Sequence, residues 1–250
     1  MIALTHPFAL LVRLAAPFAF RSELAIARKL RGFAATEAGS ALDMLKAAEL
    51  ADDPRLRRLF FRHGMDEARH AQLFRDAARD VERAAGGRVE LGAYDLVHAT
   101  RQNLYETLGP VRFLAFVFLA ESQAAEQFRA LGEHFRDREA LASLFARIGR
   151  DERFHVGYSK RLLDELRAQG RGAEVRAATA RVRLQRAWDA WRRAGRVLGD
   201  AITHALLVAL YLLVVPPFAL AQRRLERRDG GGWRRPPPRR DTLDEARSQG

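Results

Sequence analysis

Two copies of one short pattern could do chemistry in this chain: Glu67-x-x-His70 and Glu152-x-x-His155. Each follows a lone glutamate about thirty residues upstream, Glu37 before the first and Glu121 before the second. On a helix, a glutamate and a histidine three residues apart leave the same face one turn apart. Both can point into the middle of a bundle and hold one metal ion. Four carboxylates and two imidazoles, delivered from four helices, form the ligand set that helical bundles use for a pair of iron or manganese ions. Carboxylate oxygen and imidazole nitrogen suit iron in its +2 and +3 states, and a carboxylate can bridge two ions. Glu37 and Glu121 are therefore expected to serve one ion each, Glu67 and Glu152 to bridge, and His70 and His155 to cap one ion each. The same six side chains are the expected catalytic residues.

The elements carrying these residues must bring them level. If Glu37 and Glu67 sit on antiparallel neighbours, they face each other only when the turn lies midway. Ala51-Asp52-Asp53-Pro54 supplies that turn: fifteen residues separate Glu37 from Asp52, and fifteen separate Asp52 from Glu67. Asp53 can cap the second helix, with Pro54 at its first position. In the second half the break is Arg136-Asp137-Arg138, with Asp137 sixteen residues after Glu121 and fifteen before Glu152. Glu126 is a rival ligand. It lies eleven residues before Asp137, which puts it about 6 Å out of level at a rise of about 1.5 Å per residue, so it is expected beside the site or on a path to it.

Asp66 and Asp151 immediately precede the bridging glutamates. They are candidates to accept an imidazole N–H and so fix tautomer and ring orientation. Arg69 is placed to balance one of these aspartates. The second copy has Phe154 at that position, so the halves are not chemically equivalent. Tyr158, one turn beyond His155, either packs or supports the site. His63, His98, His134 and His204 have no partner pattern and are expected at the surface or in ordinary packing. A single Glu-x-x-His arises by chance in Arg/Glu-rich helices. Two, each with an upstream glutamate across a centred turn, are hard to obtain by accident.

At 250 residues the chain suits one main domain with additions. Long Ala/Leu/Arg/Glu stretches, with Gly and Pro confined to breaks, predict an all-α protein. The helices of an antiparallel bundle are expected over 22–50, 54–85, 110–135 and 138–169, with a long connection between the second and third holding a short helix around 95–105. An amphipathic fifth helix is expected over 173–198. The resulting domains are an apolar N-terminal segment 1–21, the bundle 22–169, the amphipathic helix 170–199, a hydrophobic segment 200–221 and an Arg/Pro-rich disordered tail 222–250. The N-terminal segment is a poor secretion signal, because it lacks a basic start and Arg13 interrupts its apolar run. It reads instead as membrane-facing or docked on the bundle.

Residues 201–221 carry no Asp, Glu, Lys or Arg. Twenty-one residues span about 31 Å, enough for a bilayer core of about 30 Å. A spanning helix is the expectation, with an interfacial or re-entrant anchor and a helix packed on protein as alternatives. Arginines flank both ends, so the positive-inside rule does not choose an orientation. The chain has no Cys, which removes disulfides, thiolate zinc sites and iron–sulfur clusters. The net charge of +12 comes almost wholly from Arg, with Lys only at 29, 46 and 160. These charges are spread along helices without a nucleic-acid motif or an aromatic platform. An anionic membrane surface is the expected partner, and nucleic acid is not.

Met65-Asp66-Glu67-Ala68-Arg69-His70 resembles the Asp-Glu-x-Arg-His signature of the ferritin-like di-iron carboxylate superfamily, and the duplicated arrangement covers about residues 22–168. That superfamily includes ribonucleotide reductase small subunits, bacterial multicomponent monooxygenases and aryl-amine N-oxygenases. The resemblance implies a ferritin-like fold and two iron ions, or a manganese/iron pair, which the ligand types do not distinguish. It does not select a member. Rubrerythrin is disfavoured for want of a Cys-ligated iron domain, and a storage ferritin by the C-terminal apolar segment. The implied function is a membrane-associated oxidoreductase that activates O2, of hydroxylase, N-oxygenase or desaturase type. Its partners would be a separate reductase or electron donor and a lipophilic or carrier-bound small-molecule substrate, with a homodimer an allowed assembly. The expected location is a bacterial membrane, with the metal domain in the cytoplasm. The alternatives are a ferroxidase or peroxidase that handles iron or peroxide, and a non-catalytic membrane-tethered scaffold.

Overall fold

The computed structural model describes residues 7–91 and 103–229, all helical apart from short turns and connections. The helices are α1 (Pro7–Ala19), α2 (Glu23–Leu50), α3 (Pro54–Ala85), α4 (Leu104–Leu108), α5 (Pro110–His134), α6 (Glu139–Leu166) and α7 (Gly172–Asp229). The protein is all-α. The Ser22 hydroxyl accepts the Ala25 N–H at 3.2 Å to open α2, and the Asp53 carboxylate accepts the Arg55 N–H at 2.7 Å to open α3. Each satisfies a backbone donor that the first helical turn leaves without a partner. α3 stops at Gly86, whose φ of 64° is left-handed and free of strain only without a Cβ. α6 gives way to a wide turn, Arg167–Arg171, broken at Gly170 with φ 83°.

The chain divides into two units, Met1–Gln185 and Arg186–Gly250. In the first, α2 packs along α3 and α5 along α6, each pair joined by a turn too short for anything but antiparallel neighbours. Gly64 sets the approach of α2 to α3, since a Cβ there would meet the Leu45 side chain at 2.9 Å and the Ala41 carbonyl at 3.2 Å. Two apolar cores form. One holds Leu30, Ala34, Phe74, Phe128, Phe145 and Ile148, and the other Met44, Phe60, Leu114, Val117, Tyr158 and Leu162. On every one of the four long helices, the chemistry-bearing residues fall in the sequence interval between these two cores.

The short helix in the long connection is α4; the part of that expectation over 92–102 lies outside the described residues, as does the tail from 230. Residues 222–229, expected in the disordered tail, continue α7; they are Arg-rich, contain no Gly or Pro and precede the first tail proline. In the second unit, α7 carries an apolar run that includes Leu206, Leu210, Leu213 and Phe218, all exposed. By length and composition this is the one helix among the described residues able to cross a membrane. Pro216 and Pro217 lie inside it.

Candidate metal centre

α2 supplies Glu37, α3 supplies His63, Glu67 and His70, α5 supplies Glu121, and α6 supplies Glu152 and His155. All are buried. Their donor atoms make two overlapping groups, Glu37, Glu67, His70 and Glu152 in one and His63, Glu67, Glu121 and His155 in the other, with the atoms of each group within 4.8 Å of one another. Glu67 belongs to both. The structure thus brings together all six side chains singled out in the sequence and adds His63.

Inward-facing ring nitrogens organise the layer. His70 Nδ1 lies 3.2 Å from Glu152 Oε1 and 3.8 Å from both Glu37 Oε2 and Glu67 Oε1. His155 Nδ1 lies 3.3 Å from Glu152 Oε2 and 3.5 Å from Glu67 Oε1. His63 Nε2 lies 3.1 Å from Glu67 Oε1 and 3.6 Å from Glu121 Oε1. The outward nitrogens are held crosswise. His70 Nε2 meets Asp151 Oδ2 at 3.1 Å, and His155 Nε2 meets Asp66 Oδ2 at 3.4 Å. Each aspartate thus serves the histidine of the other helix, and by holding Nε2 it leaves Nδ1 as the ligand atom. Arg69 reaches both aspartates rather than one, at 2.8 Å to Asp66 and 3.0 Å to Asp151.

The donor set fits a cation. His70 Nδ1 and Glu152 Oε1 are fully buried and make no hydrogen bond, although polar atoms so placed rarely go unpaired. Burial raises Glu67 well above the usual carboxylate range, and the charges of Glu37, Glu152 and Glu121 push it further. Burial works against a charged His70, yet Glu152 and Glu37 carry it up to about 10. His155 is raised in the same way, against burial, by Asp66 and Glu152. Glu152 is held low, also against burial, by Glu121, His155 and His70. Without a cation, these shifts favour offsetting the carboxylate charge with protons on Glu67, His70 and His155. Divalent cations would do so without them. Four carboxylates and three imidazoles, with no thiolate, suit iron, manganese or zinc.

His63 corrects the expectation of surface or ordinary packing. Its Nδ1 is 2.7 Å from the Tyr158 hydroxyl, and burial, with His155 adding to it, pushes the imidazole well below its ordinary value and keeps it neutral. A signal existed: positions 63, 67 and 70 keep to one helical face, so extending Glu-x-x-His one turn upstream finds it. The second copy has Ile148 at the equivalent place, so repetition could not reveal it. Tyr158 supports the site through this contact. Glu126 pairs with Arg129 at 2.9 Å and belongs to neither donor group. His134 packs against Phe20 and Phe135, His204 is exposed, and His98 lies outside the described residues.

No family model, curated protein or solved structure matches this chain. The functional reading rests on these residues and their geometry.

Proposed function

We propose that this protein is a membrane-associated, non-haem di-iron oxidoreductase built on a ferritin-like bundle. It activates O2 to hydroxylate, N-oxygenate or desaturate a lipophilic or carrier-bound small molecule, with electrons from a separate donor. The observation that supports this reading is the pair of buried donor groups sharing Glu67. Two iron ions held there would supply the redox chemistry that reduces dioxygen.

The chain's own contribution is orientation and exclusion of water. Glu67 presents one carboxylate to both groups. Asp151 and Asp66 hold His70 and His155 with Nδ1 turned inward. The Tyr158 hydroxyl fixes the His63 ring from behind. Apolar cores on either side of the layer keep bulk water from it. The apolar run of α7, long enough to cross a membrane, favours an oxygenase of lipophilic substrates over a storage protein.

Anaerobic loading with Fe(II) and Mössbauer spectroscopy test the reading. Two irons per chain in an oxygen and nitrogen environment are expected, with O2 uptake matching organic product when reductant and a membrane extract are added. Uptake that instead matches Fe(II) and leaves ferric oxide would replace the oxygenase with a ferroxidase. Absence of stoichiometric metal would overturn both.

A further inference from the structure

A cavity of about 280 Å3 opens between α3 and α6, and Tyr158 lines it. Its α3 wall is Arg55, Arg58, Leu59 and Arg62; its α6 wall adds Arg161 and Leu162. Steps of three and four residues keep each set on one side of its helix, so four guanidiniums gather around two leucines and a tyrosine. Glu165 is the acidic neighbour, felt by both Arg55 and Arg161, so one carboxylate stands against four guanidiniums. Arg55 is tied to Glu165 by hydrogen bonds of 2.8 and 2.9 Å. Arg62 lies 4.6 Å above the Phe154 ring, a contact that leaves its charge in place. Among the described residues, Arg58, Arg62 and Arg161 form no ion pair. Like charges brought this close favour an anion among them.

The lining leads inward. Tyr158 is 1% exposed, and its hydroxyl meets His63, whose other nitrogen faces Glu67 in the candidate metal layer. A molecule resting on Tyr158 is therefore separated from that layer by one tyrosine and one imidazole.

We infer that this cavity binds a small amphipathic organic anion, a carboxylate or phosphate ester whose head is held by Arg58, Arg62 and Arg161 and whose apolar body lies on Leu59 and Leu162. This names a substrate class, and in that respect rests on the oxidoreductase reading; the binding itself does not. The cavity is small beside typical ligand pockets of roughly 300–1,000 Å3, so it takes a head group and a few carbons rather than a whole lipid.

Calorimetry on the full chain in a non-ionic detergent tests this with hexanoate, hexyl phosphate, hexanol and inorganic phosphate. Saturable binding of hexanoate or hexyl phosphate is expected, the tighter of the two identifying the head group, with hexanol and inorganic phosphate each at least tenfold weaker. The double variant Arg58→Ala/Arg161→Ala should weaken the favoured ligand tenfold or more at unchanged metal content. Arg58→Lys/Arg161→Lys should recover part of the loss, which separates lost charge from lost fold. Undiminished affinity in the alanine variant, hexanol or inorganic phosphate binding as tightly as hexanoate or hexyl phosphate, or no saturable binding would overturn the proposal. Anion binding by a chain that takes up no iron would leave this inference standing and remove only the redox reading.

Discussion

The imidazoles of His63 and His155 lie face to face, ring centroids 3.6 Å apart and planes inclined by 20°. One ring comes from α3 and the other from α6, so the two helices meet through the candidate metal layer itself. His63→Ala should lower occupancy of the group containing Glu121 more than that containing Glu37. It should also leave the buried Tyr158 hydroxyl without its partner, at a cost of about 1–3 kcal/mol. Tyr158→Phe leaves the buried His63 Nδ1 unpaired instead, costs about 1–3 kcal/mol and should keep the metal. Metal analysis beside thermal unfolding checks both; full occupancy in His63→Ala would remove His63 from the site.

Glu67 is the shared member of the two groups. Glu67→Ala should therefore abolish both metals, whereas Glu37→Ala should weaken chiefly one. The metal-free proteins should behave in the opposite sense. A buried carboxyl raised by burial and by three neighbouring glutamates opposes folding, so metal-free Glu67→Gln should be more stable than its parent by about 1 kcal/mol or more. A lower melting temperature for metal-free Glu67→Gln would contradict the like-charge account.

Metal uptake should be linked to protons. In the metal-free protein His70 keeps its proton up to about 10, yet a ligating imidazole must be neutral. Apparent metal affinity should rise with pH through neutrality by about tenfold per pH unit for each proton displaced. Competition against a metal buffer measures this, and a flat profile would show that His70 is not a ligand.

Outside the site, Glu82 on α3 accepts two hydrogen bonds from Arg31 on α2, at 2.6 and 2.5 Å, and one from the Val89 N–H at 3.0 Å. The Arg31 guanidinium holds the Glu82 carboxyl below the usual range. A carboxyl depressed in the folded state adds stability above its unfolded value and loses it as pH falls through the folded one. Glu82→Gln should thus cost about 1–3 kcal/mol at neutral pH, and the difference should shrink in acid. Urea unfolding at neutral and acidic pH decides it.

For the apolar run of α7, Leu210→Arg puts a charge near its middle. Such a residue costs about 2.5–3.5 kcal/mol at the centre of a spanning helix. The variant should shift from the membrane to the soluble fraction after carbonate washing, and unchanged partitioning would argue against a spanning role.

Helix ends and most of the candidate metal donors were legible in the sequence because both are local properties. Ser22, Asp53, Pro54 and Gly86 act on backbone groups within a turn of themselves. Glu37, Glu67, Glu121 and Glu152 announce a common depth through residue counts across two turns. Which face of α3 meets which face of α6 is a different kind of fact, decided when the apolar cores close. That packing alone stacks His63 on His155, sends Asp66 to His155 and Asp151 to His70, and gathers Arg55, Arg58, Arg62 and Arg161 around one cavity. Pairs of this kind lie some eighty to a hundred residues apart, and periodicity within a helix carries no information about contacts across the bundle.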